Sequence, residues 1–422
     1  MKNKFTNRMP QICVMLFFFL PSLFGFLPLG DCDGGALLAQ GPGTWTQKAD
    51  IPGGWPWPGT KATVGFSIGT KGYVGTGYYL DGMGMSNNSA DFWEWDQATN
   101  VWTQKANFGG GLRANAIGFS IGNKGYIGTG LPSWLGTAIP KNDFWEWDQA
   151  TNTWVQKANL PVGRSKAIGF SIGSKGYIGM GLDGSYIAQN DLWEWDQATD
   201  TWTKKANFPG TARFNAVGFS IGTKGYVGTG AKTATNTSPS HGAAGLMNDF
   251  WEWDQTTDIW TQKANFGGQV RHAAVGFSIS GKGYIGTGLD VNDYEVSDFW
   301  EWDQAANAWT VKAYYPGISP SELFGFSIGC YGYTGGGMKF ITMSFFEYAP
   351  DPLPANCCVL VAGISNPGTV CIGTNASISA SGGTNYSWST GATSATITVN
   401  QSVTTAYTVI VSDANGCSDI VS

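Results

Sequence analysis

Alternating side-chain character is clearest in DFWEWDQATNVWTQKANF, at residues 91–108. The opening DFWEWD repeats with a period of two, the period of a β-strand, and places large aromatic rings on both sides. The DQATN that follows is turn chemistry, because Asp96 can accept bonds from backbone amides ahead of it and Asn100 tolerates positive φ. An extended pattern resumes from Trp102 to Lys105, so the stretch predicts a hairpin. A lone hairpin cannot bury both aromatic faces and needs similar neighbours.

Four short motifs recur in a fixed order along most of the chain: GFSIG, a KGYxGTG-like strand, DFWEWD and WTQKA, each six times. The first motif begins at Gly65, Gly118, Gly169, Gly218, Gly276 and Gly325. The third begins at Asp91, Asp143, Asp191, Asp249 and Asp298, with a weaker copy at Ser344. The fourth is built on Trp45, Trp102, Trp154, Trp202, Trp260 and Trp309.

The order of the motifs at the two ends of the repeat predicts a closed ring. A WTQKA-type strand stands at Trp45, ahead of any GFSIG, whereas the last unit ends at Tyr348 with no such strand after it. The N-terminal strand is therefore predicted to complete the last unit, so that both ends of the repeat region share one sheet.

The repeat resembles the kelch repeat over about residues 41–350. It departs from that family where Gly75-Thr76-Gly77 replaces a diglycine and where Trp95 replaces a tyrosine. The resemblance, which includes the central domain of galactose oxidase, implies an all-β fold. Residues 40–350 would form a monomeric six-bladed β-propeller of four-stranded blades. The 61 glycines and 20 tryptophans agree with an all-β repeat protein.

The composition changes after the repeats. The proline-containing segment 351–356 predicts a stiff linker. Residues 357–422 are rich in Ser, Thr, Val and Gly and alternate strictly in several runs, which predicts a small β-sandwich. The runs YSWSTGATSATITV and DANGC resemble immunoglobulin-like or PKD-like modules of bacterial surface proteins. Such a module needs one more strand after Cys417, so we expect it to be incomplete or to end on a very short strand.

Residues 1–39 begin with basic residues, continue with an apolar run from Ile12 to Leu29 and end in small residues. This order predicts a secretory signal peptide, and hence a bacterial protein that is secreted or held at the cell surface. A membrane anchor is the alternative, although Pro21 and Pro28 interrupt the run and its length is marginal for a span. A lipid anchor on Cys32 has less support, because an aspartate precedes it.

Charge and composition exclude several other classes of function. The formal net charge is −6, with no basic cluster beyond the N-terminal segment, so nucleic acid is not an expected partner. The chain has two histidines, His241 and His272, and no CxxC pair, so neither a metal nor another cofactor is expected. Secretion permits disulfides, and we predict one between Cys371 and Cys417 in the small domain. Cys330 is expected to be a free thiol.

Variation between the units is confined to one set of links. The links from strand one to two and from three to four are near copies, whereas those from two to three and from four to the next unit vary widely. In an up-and-down blade the two sets emerge on opposite faces, and varied loops on a constant frame usually carry binding residues. Trp55, Trp57 and Trp134 lie in the varied set, where aromatic plates suit sugar rings or peptide anchors. The alternative for Trp55 and Trp57 is that they cap the ring closure.

Arginine recurs five residues before GFSIG in four units, at Arg113, Arg164, Arg213 and Arg271. Four guanidinium groups near the inner rim could form an anion-binding ring for phosphate, sialic acid or an acidic peptide. In the kelch family, arginines of this loop bind ligands in some members and pack blades in many, so the resemblance leaves both roles open.

No catalytic constellation stands out, so no catalytic residue is assigned. Six of the eight glutamates occupy one repeated strand position and are expected to be structural: Glu94, Glu146, Glu194, Glu252, Glu301 and Glu347. The acids on the varied links, which could form a carboxylate pair but are expected to be solvated, are Asp81, Asp183, Asp290, Asp293 and Glu295. Two histidines in different loops do not suit the copper chemistry of galactose oxidase relatives. A sugar mutarotase like the kelch-type sialic-acid epimerases stays open.

The leading hypothesis is a secreted or surface-attached binding module. It would recognise a glycan or an extracellular protein through the varied loops, with the C-terminal region as spacer or attachment. One alternative is a carbohydrate-active enzyme of the sialic-acid mutarotase type that uses the arginine rim. Another is a structural, adhesin-like surface protein without a defined small ligand.

Overall fold

The computed structural model describes residues 41–421 except 53–60, 81–85, 134–137, 235–242, 338–343, 355–361, 366–373, 401–402, 404 and 413–417. The predicted signal peptide lies outside the described residues. All regular elements in the described part are β-strands, and no helix there is long and apolar enough to cross a membrane.

Six four-stranded antiparallel sheets, numbered here as blades 1 to 6, each correspond to one unit of the repeat. From the inner to the outer strand, blade 1 contains Val64–Ile68, Lys71–Gly75, Phe92–Asp96 and Val101–Gln104; blade 2 contains Ile117–Ile121, Lys124–Gly128, Phe144–Asp148 and Thr153–Lys157; blade 3 contains Ile168–Ile172, Lys175–Gly179, Leu192–Asp196 and Thr201–Lys204. Blade 4 contains Val217–Ile221, Lys224–Gly228, Phe250–Asp254 and Ile259–Lys263; blade 5 contains Val275–Ile279, Lys282–Gly286, Phe299–Asp303 and Ala308–Lys312; blade 6 contains Phe324–Ile328, Tyr331–Gly335, Phe345–Ala349 and Thr44–Gln47.

The N-terminal strand closes the ring. Thr44–Gln47 pairs antiparallel with Phe345–Ala349, and Trp45 stands opposite Tyr348. The inner strand of each blade contacts the inner strand of the next, including those of blades 6 and 1. The predicted fold, an all-β six-bladed propeller closed by its N-terminal strand, is confirmed.

The turn of the repeated hairpin forms as its sequence predicted. Asp96 Oδ1 accepts the backbone N–H of Ala98 at 2.8 Å and that of Thr99 at 3.1 Å. Asn100 has a φ of 55°, in the left-handed region that asparagine tolerates better than most residues. The short polar side chains of DQATN thus fix the turn locally.

Both aromatic faces of the third strand are buried between blades. In blade 1, Phe92 packs edge-on against Trp147 of blade 2, with ring centroids 5.1 Å apart. Trp95 packs against Tyr333 and Phe345 of blade 6, at 5.0 Å from each. Neither Phe92 nor Trp95 is exposed. Stacking of like units therefore supplies the burial that one hairpin lacks.

The repeated glutamates are structural, as predicted. In blade 1 the Tyr73 hydroxyl donates to Glu94 Oε2 at 2.7 Å, and Gln149 of blade 2 donates to that hydroxyl at 2.7 Å. Lys105 Nζ lies 3.2 Å from Glu94 Oε1. Burial, followed by the bond to Glu94, raises the pKa of Tyr73, so the hydroxyl stays protonated and keeps donating. The same bond recurs in Tyr126–Glu146, Tyr177–Glu194, Tyr226–Glu252, Tyr284–Glu301 and Tyr333–Glu347.

The C-terminal part contains two three-stranded sheets. One sheet contains Gly363–Ile364, Ala376–Ser381 and Thr396–Val399, and the other contains Asn385–Trp388, Val409–Ser412 and Ser418–Val421. Both sheets contribute to one core, with Ile378 and Ile397 from the first and Trp388 and Val409 from the second. The final described strand, Ser418–Val421, has four residues and pairs antiparallel with Val409–Ser412. The immunoglobulin-like or PKD-like assignment stays a prediction.

Cys330 is buried in the turn between the first two strands of blade 6 and is disulfide-bonded. The expectation of a free thiol was wrong, because pairing depends on which cysteines the fold brings together, and spacing along the chain does not give this. The predicted disulfide between Cys371 and Cys417 lies outside the described residues.

Candidate functional site

The links that vary between repeats meet on one face of the ring, called here the loop face. The link that enters blade 2 bonds to the link between strands two and three of blade 1. Its Arg113 N–H donates to the Ser89 carbonyl at 3.0 Å, and its Arg113 carbonyl accepts the N–H of Gly77 at 2.7 Å. Two added hairpins lie in links of this kind, Tyr78–Leu80 with Ser86–Asn88 in blade 1 and Ala231–Ala234 with Ala243–Leu246 in blade 4.

The four repeated arginines are buried in bidentate ion pairs, called here arginine clasps. In blade 4, the two terminal nitrogens of Arg213 donate to Asp249 Oδ1 and Oδ2, each at 2.7 Å. One of them also donates to the Thr229 carbonyl at 2.9 Å, and the guanidinium lies 4.7 Å from the centre of the Phe208 ring. The Arg213 side chain is 0% exposed. The other clasps are Arg113–Asp143, Arg164–Asp191 and Arg271–Asp298.

The clasps correct the hypothesis of an anion-binding arginine ring. Each clasp ties the link entering a blade to the residue just before the third strand of that blade. These guanidinium groups are at most 1% exposed and direct most of their N–H groups to carboxylate and carbonyl oxygens, so an external anion cannot reach them. The arginines at positions 113, 164, 213 and 271 therefore pack the blades and do not form a rim for ligand.

Acid is expected to weaken the clasp between Arg213 and Asp249. Burial alone would raise the pKa of Asp249, but its bonds to Arg213 and the charge of that arginine hold the pKa below its ordinary value. A carboxyl with a lowered folded-state pKa adds stability above its unfolded pKa of about 4 and loses it as the pH falls through the folded value. Urea titrations should therefore show a lower free energy of unfolding below about pH 4 than at neutral pH. The double variant Arg213→Leu with Asp249→Leu should lose less on acidification, and an equal loss would contradict the assignment.

Six residues, called here the mouth ring, surround the channel where it opens on the loop face. They stand three positions before the six GFSIG-type motifs and are Ala62, Asn115, Lys166, Asn215, Ala273 and Glu322. All six have left-handed backbones, with φ between 50° and 56°. Each N–H donates to the carbonyl of the equivalent residue in the preceding blade, at 3.0 to 3.3 Å. This continuous ring of hydrogen bonds holds the main chain of six residues around one pocket of about 110 Å³, which these residues line.

Two members of the mouth ring bring opposite charges to the pocket. Lys166 of blade 3 and Glu322 of blade 6 stand on opposite sides, because two blades lie between them on either side in a ring of six. Lys166 is half-buried and pairs with no acidic side chain of the described part; its ammonium lies 5.8 Å from the centre of the Phe214 ring. Burial lowers the pKa of Lys166, and the charge of Glu322 partly offsets this. Desolvating an unpaired cation costs free energy, which favours a functional role over a structural one.

His272 adds a neutral polar group beside the mouth ring. Its Nδ1 lies 3.4 Å from Asn215 Nδ2, and its Nε2 lies 3.7 Å from Asp293 Oδ1. Burial, and after it the charge of Lys166, lowers the pKa of His272. The imidazole is therefore uncharged at neutral pH, and the ionisable side chains of the mouth ring itself are Lys166 and Glu322.

Three of the acids singled out on the varied links, Asp183, Asp290 and Glu295, accept hydrogen bonds from their own loop or from the next link. Asp183 Oδ1 accepts the backbone N–H of Ser185 at 2.8 Å, and Asp290 Oδ1 accepts that of Asn292 at 2.8 Å. These two aspartates shape separate loops, in blades 3 and 5, and do not form the carboxylate pair considered from the sequence. Glu295 accepts hydroxyl bonds from two serines of the next link, at 2.6 and 2.9 Å. Five other residues considered from the sequence lie outside the described residues: Trp55, Trp57, Asp81, Trp134 and His241.

A solved structure, that of YjhT, resembles this chain with a TM-score of 0.55 and 15% sequence identity. The match covers 69% of this chain and 95% of YjhT. It supports a β-propeller fold. At this identity the likeness shows the fold alone. No protein-family model and no curated protein matches the sequence, so the relation to kelch repeats stays a resemblance.

Sequence reasoning missed the mouth ring, although a signal was present. Within a nearly constant repeat, this position holds alanine twice, asparagine twice, Lys166 once and Glu322 once. Glu322 is also one of the two glutamates outside the repeated strand position. A residue type that breaks a repeat next to a constant motif is therefore a better guide here than the recurring arginines.

Proposed function

We propose that this chain is a binding protein that holds a small polar group, such as the end sugar of a glycan, in the pocket of the mouth ring. The observation that carries the proposal is Lys166, a half-buried ammonium with no ionic partner among the described side chains, which faces that pocket. A ligand oxygen would supply the missing partner for the ammonium.

The shape and polarity of the pocket favour an end group over a flat protein surface. The pocket is concave, and Asn115, Asn215 and Glu322 add amide and carboxylate groups to the ammonium of Lys166. Amide and charged side chains around a concavity match the hydroxyl and carboxyl groups of sugars. The predicted secretion signal would bring this pocket to extracellular glycans, and the C-terminal sheets would serve as a spacer or attachment.

Removing the ammonium should weaken binding of the ligand. Lys166→Met keeps most of the apolar stem and deletes the charge, so an affinity loss of about tenfold or more is expected, in line with the contribution of a charged hydrogen bond. Glycan-array screening of the full chain, followed by calorimetry on the best sugar, would measure it. Lys204→Met, on an exposed outer strand, is the matched control and should bind like the parent. An unchanged affinity in Lys166→Met, or no binding of any glycan or other small polar ligand, would refute the proposal.

A carbohydrate-active enzyme of the mutarotase type is the second candidate. The observation in its favour is that Glu322 and Lys166, a potential acid–base pair, face one pocket, and that the pKa of Lys166 is lowered. Exchange of sugar anomers needs a proton donor and a proton acceptor. NMR exchange rates of sugars and sugar acids should then rise with the parent protein and not with Glu322→Gln. Equal rates with and without protein would remove this candidate.

A further inference from the structure

The mouth ring is polarised, with its two halves carrying different chemistry. In chain order, Asn115, Lys166 and Asn215 come from the consecutive blades 2, 3 and 4. The opposite half contains Glu322 of blade 6, flanked by alanines of blades 5 and 1. The ring of backbone bonds holds the main chain of all six residues in place, and no ion pair joins Lys166 to Glu322 within the described part of the chain.

The first half offers hydrogen-bond donors to a carboxylate. Asn115 is 7% exposed, and its Nδ2 is buried with no hydrogen-bond partner among the described atoms. It stands next to the unpaired ammonium of Lys166 in the ring. A buried donor without a partner costs free energy. An anion bound to the ammonium of Lys166 would satisfy this donor as well once the Asn115 amide turned toward it.

The second half offers an acceptor to a cation. The Tyr78 hydroxyl donates to Glu322 Oε2 at 3.1 Å, while Oε1 has no hydrogen-bond partner within the described part of the chain. The alanines on either side are small and leave the carboxylate open to the pocket. One oxygen of Glu322 is thus positioned by tyrosine, and the other is available to an ammonium group.

We infer that the ligand of the mouth ring is dipolar: it carries a carboxylate that binds the Asn115–Lys166–Asn215 half and an ammonium that binds Glu322. The chemical class is an amino acid, or a sugar acid with a free amine, presented alone or as an end group. This inference rests on the proposed function, since it names the ligand of the same pocket.

A series of simple probes tests the inference on the full chain. Glycine, β-alanine, 4-aminobutanoate and 6-aminohexanoate vary the separation of the two charges, while butanoate and butylamine each carry one charge. Calorimetry should show that one amino acid of the series binds at least about tenfold tighter than either single-charge probe, since each charged contact contributes. Lys166→Met should remove the gain over butylamine, and Glu322→Gln should remove the gain over butanoate. Lys204→Met should change neither, and melting temperatures should show that the variants stay folded.

The outcomes separate this inference from the proposed function. Equal affinities for dipolar and single-charge probes would overturn the inference. Another outcome is that a neutral sugar binds in a Lys166-dependent manner while no dipolar probe binds more tightly than the single-charge probes. In that case the binding function stands and the dipolar assignment is wrong. If neither sugars nor charged probes bind, both fall.

Discussion

Asp249→Ala is expected to lower the free energy of unfolding by about 3–5 kcal/mol, because it leaves a fully buried guanidinium without its counter-charge. Arg213 is 0% exposed, and its remaining bonds to carbonyl groups do not neutralise the positive charge. Urea denaturation of the parent and the variant would measure the loss. Asp50→Ala, at an exposed aspartate, is the control and should change stability by less than about 1 kcal/mol.

The double variant Arg213→Leu with Asp249→Leu sharpens this test. Replacing both partners of a buried pair with apolar side chains is often close to neutral, so the double variant should regain much of what Asp249→Ala loses. If Asp249→Ala costs less than about 1 kcal/mol, the clasp is a surface-type ion pair and the packing role assigned to it is wrong.

Across the six repeats, the buried arginine occurs only where its aspartate partner is also present. Blade 6 has Pro320 at the arginine position and Ser344 at the aspartate position, so both partners of the clasp are absent. Blade 1 keeps Asp91 although Thr60 takes the place of the arginine. A lone carboxylate near the rim can be hydrated, whereas a lone guanidinium in the buried position cannot. No repeat has the arginine without its aspartate.

The fold could be predicted from the sequence because its determinants are local and repeated. The DQATN turn depends on Asp96 and Asn100 within one hairpin, and the two aromatic faces of FWEWD require neighbours of the same kind. The WTQKA-type strand at Trp45, which precedes the first GFSIG motif, then predicted how the ring closes. Sixfold repetition turned weak single patterns into a specific prediction of a ring.

The site was not predicted in the same way, because the recurring residues drew attention away from the one position that breaks the repeat. The sequence drew attention to Arg113 and its equivalents as charged residues at a constant place, but their partners were the aspartates that open DFWEWD, which the sequence treated only as part of a strand. Lys166 and Glu322 face the same pocket only because blades 3 and 6 stand opposite each other in the closed ring. Their importance follows from missing partners, and a missing partner is a property of the folded structure.

Loss of Trp45 is expected to open the ring at its closure. Trp45 packs against Phe299 and Tyr348, with centroids 5.0 and 4.9 Å away, and its Nε1 donates to the Ala313 carbonyl at 2.9 Å. Trp45→Ala should cost about 3 kcal/mol from these contacts. Trp45 lies in the strand Thr44–Gln47, and no short turn connects this strand to its neighbour Phe345–Ala349, which is distant in sequence. Hydrogen bonds and packing therefore hold the strand in blade 6.

The equivalent Trp202→Ala in blade 3 separates closure from packing. Trp202 Nε1 makes the same bond, to the Ala158 carbonyl at 2.8 Å, but its strand follows directly from the third strand of the same blade. Hydrogen exchange should therefore show loss of protection across Phe345–Ala349 and the inner strands of blades 6 and 1 for Trp45→Ala. For Trp202→Ala the loss should stay near blade 3, because chain connectivity limits local opening. Equal and local effects in the two variants would mean that the ring does not depend on its N-terminal strand.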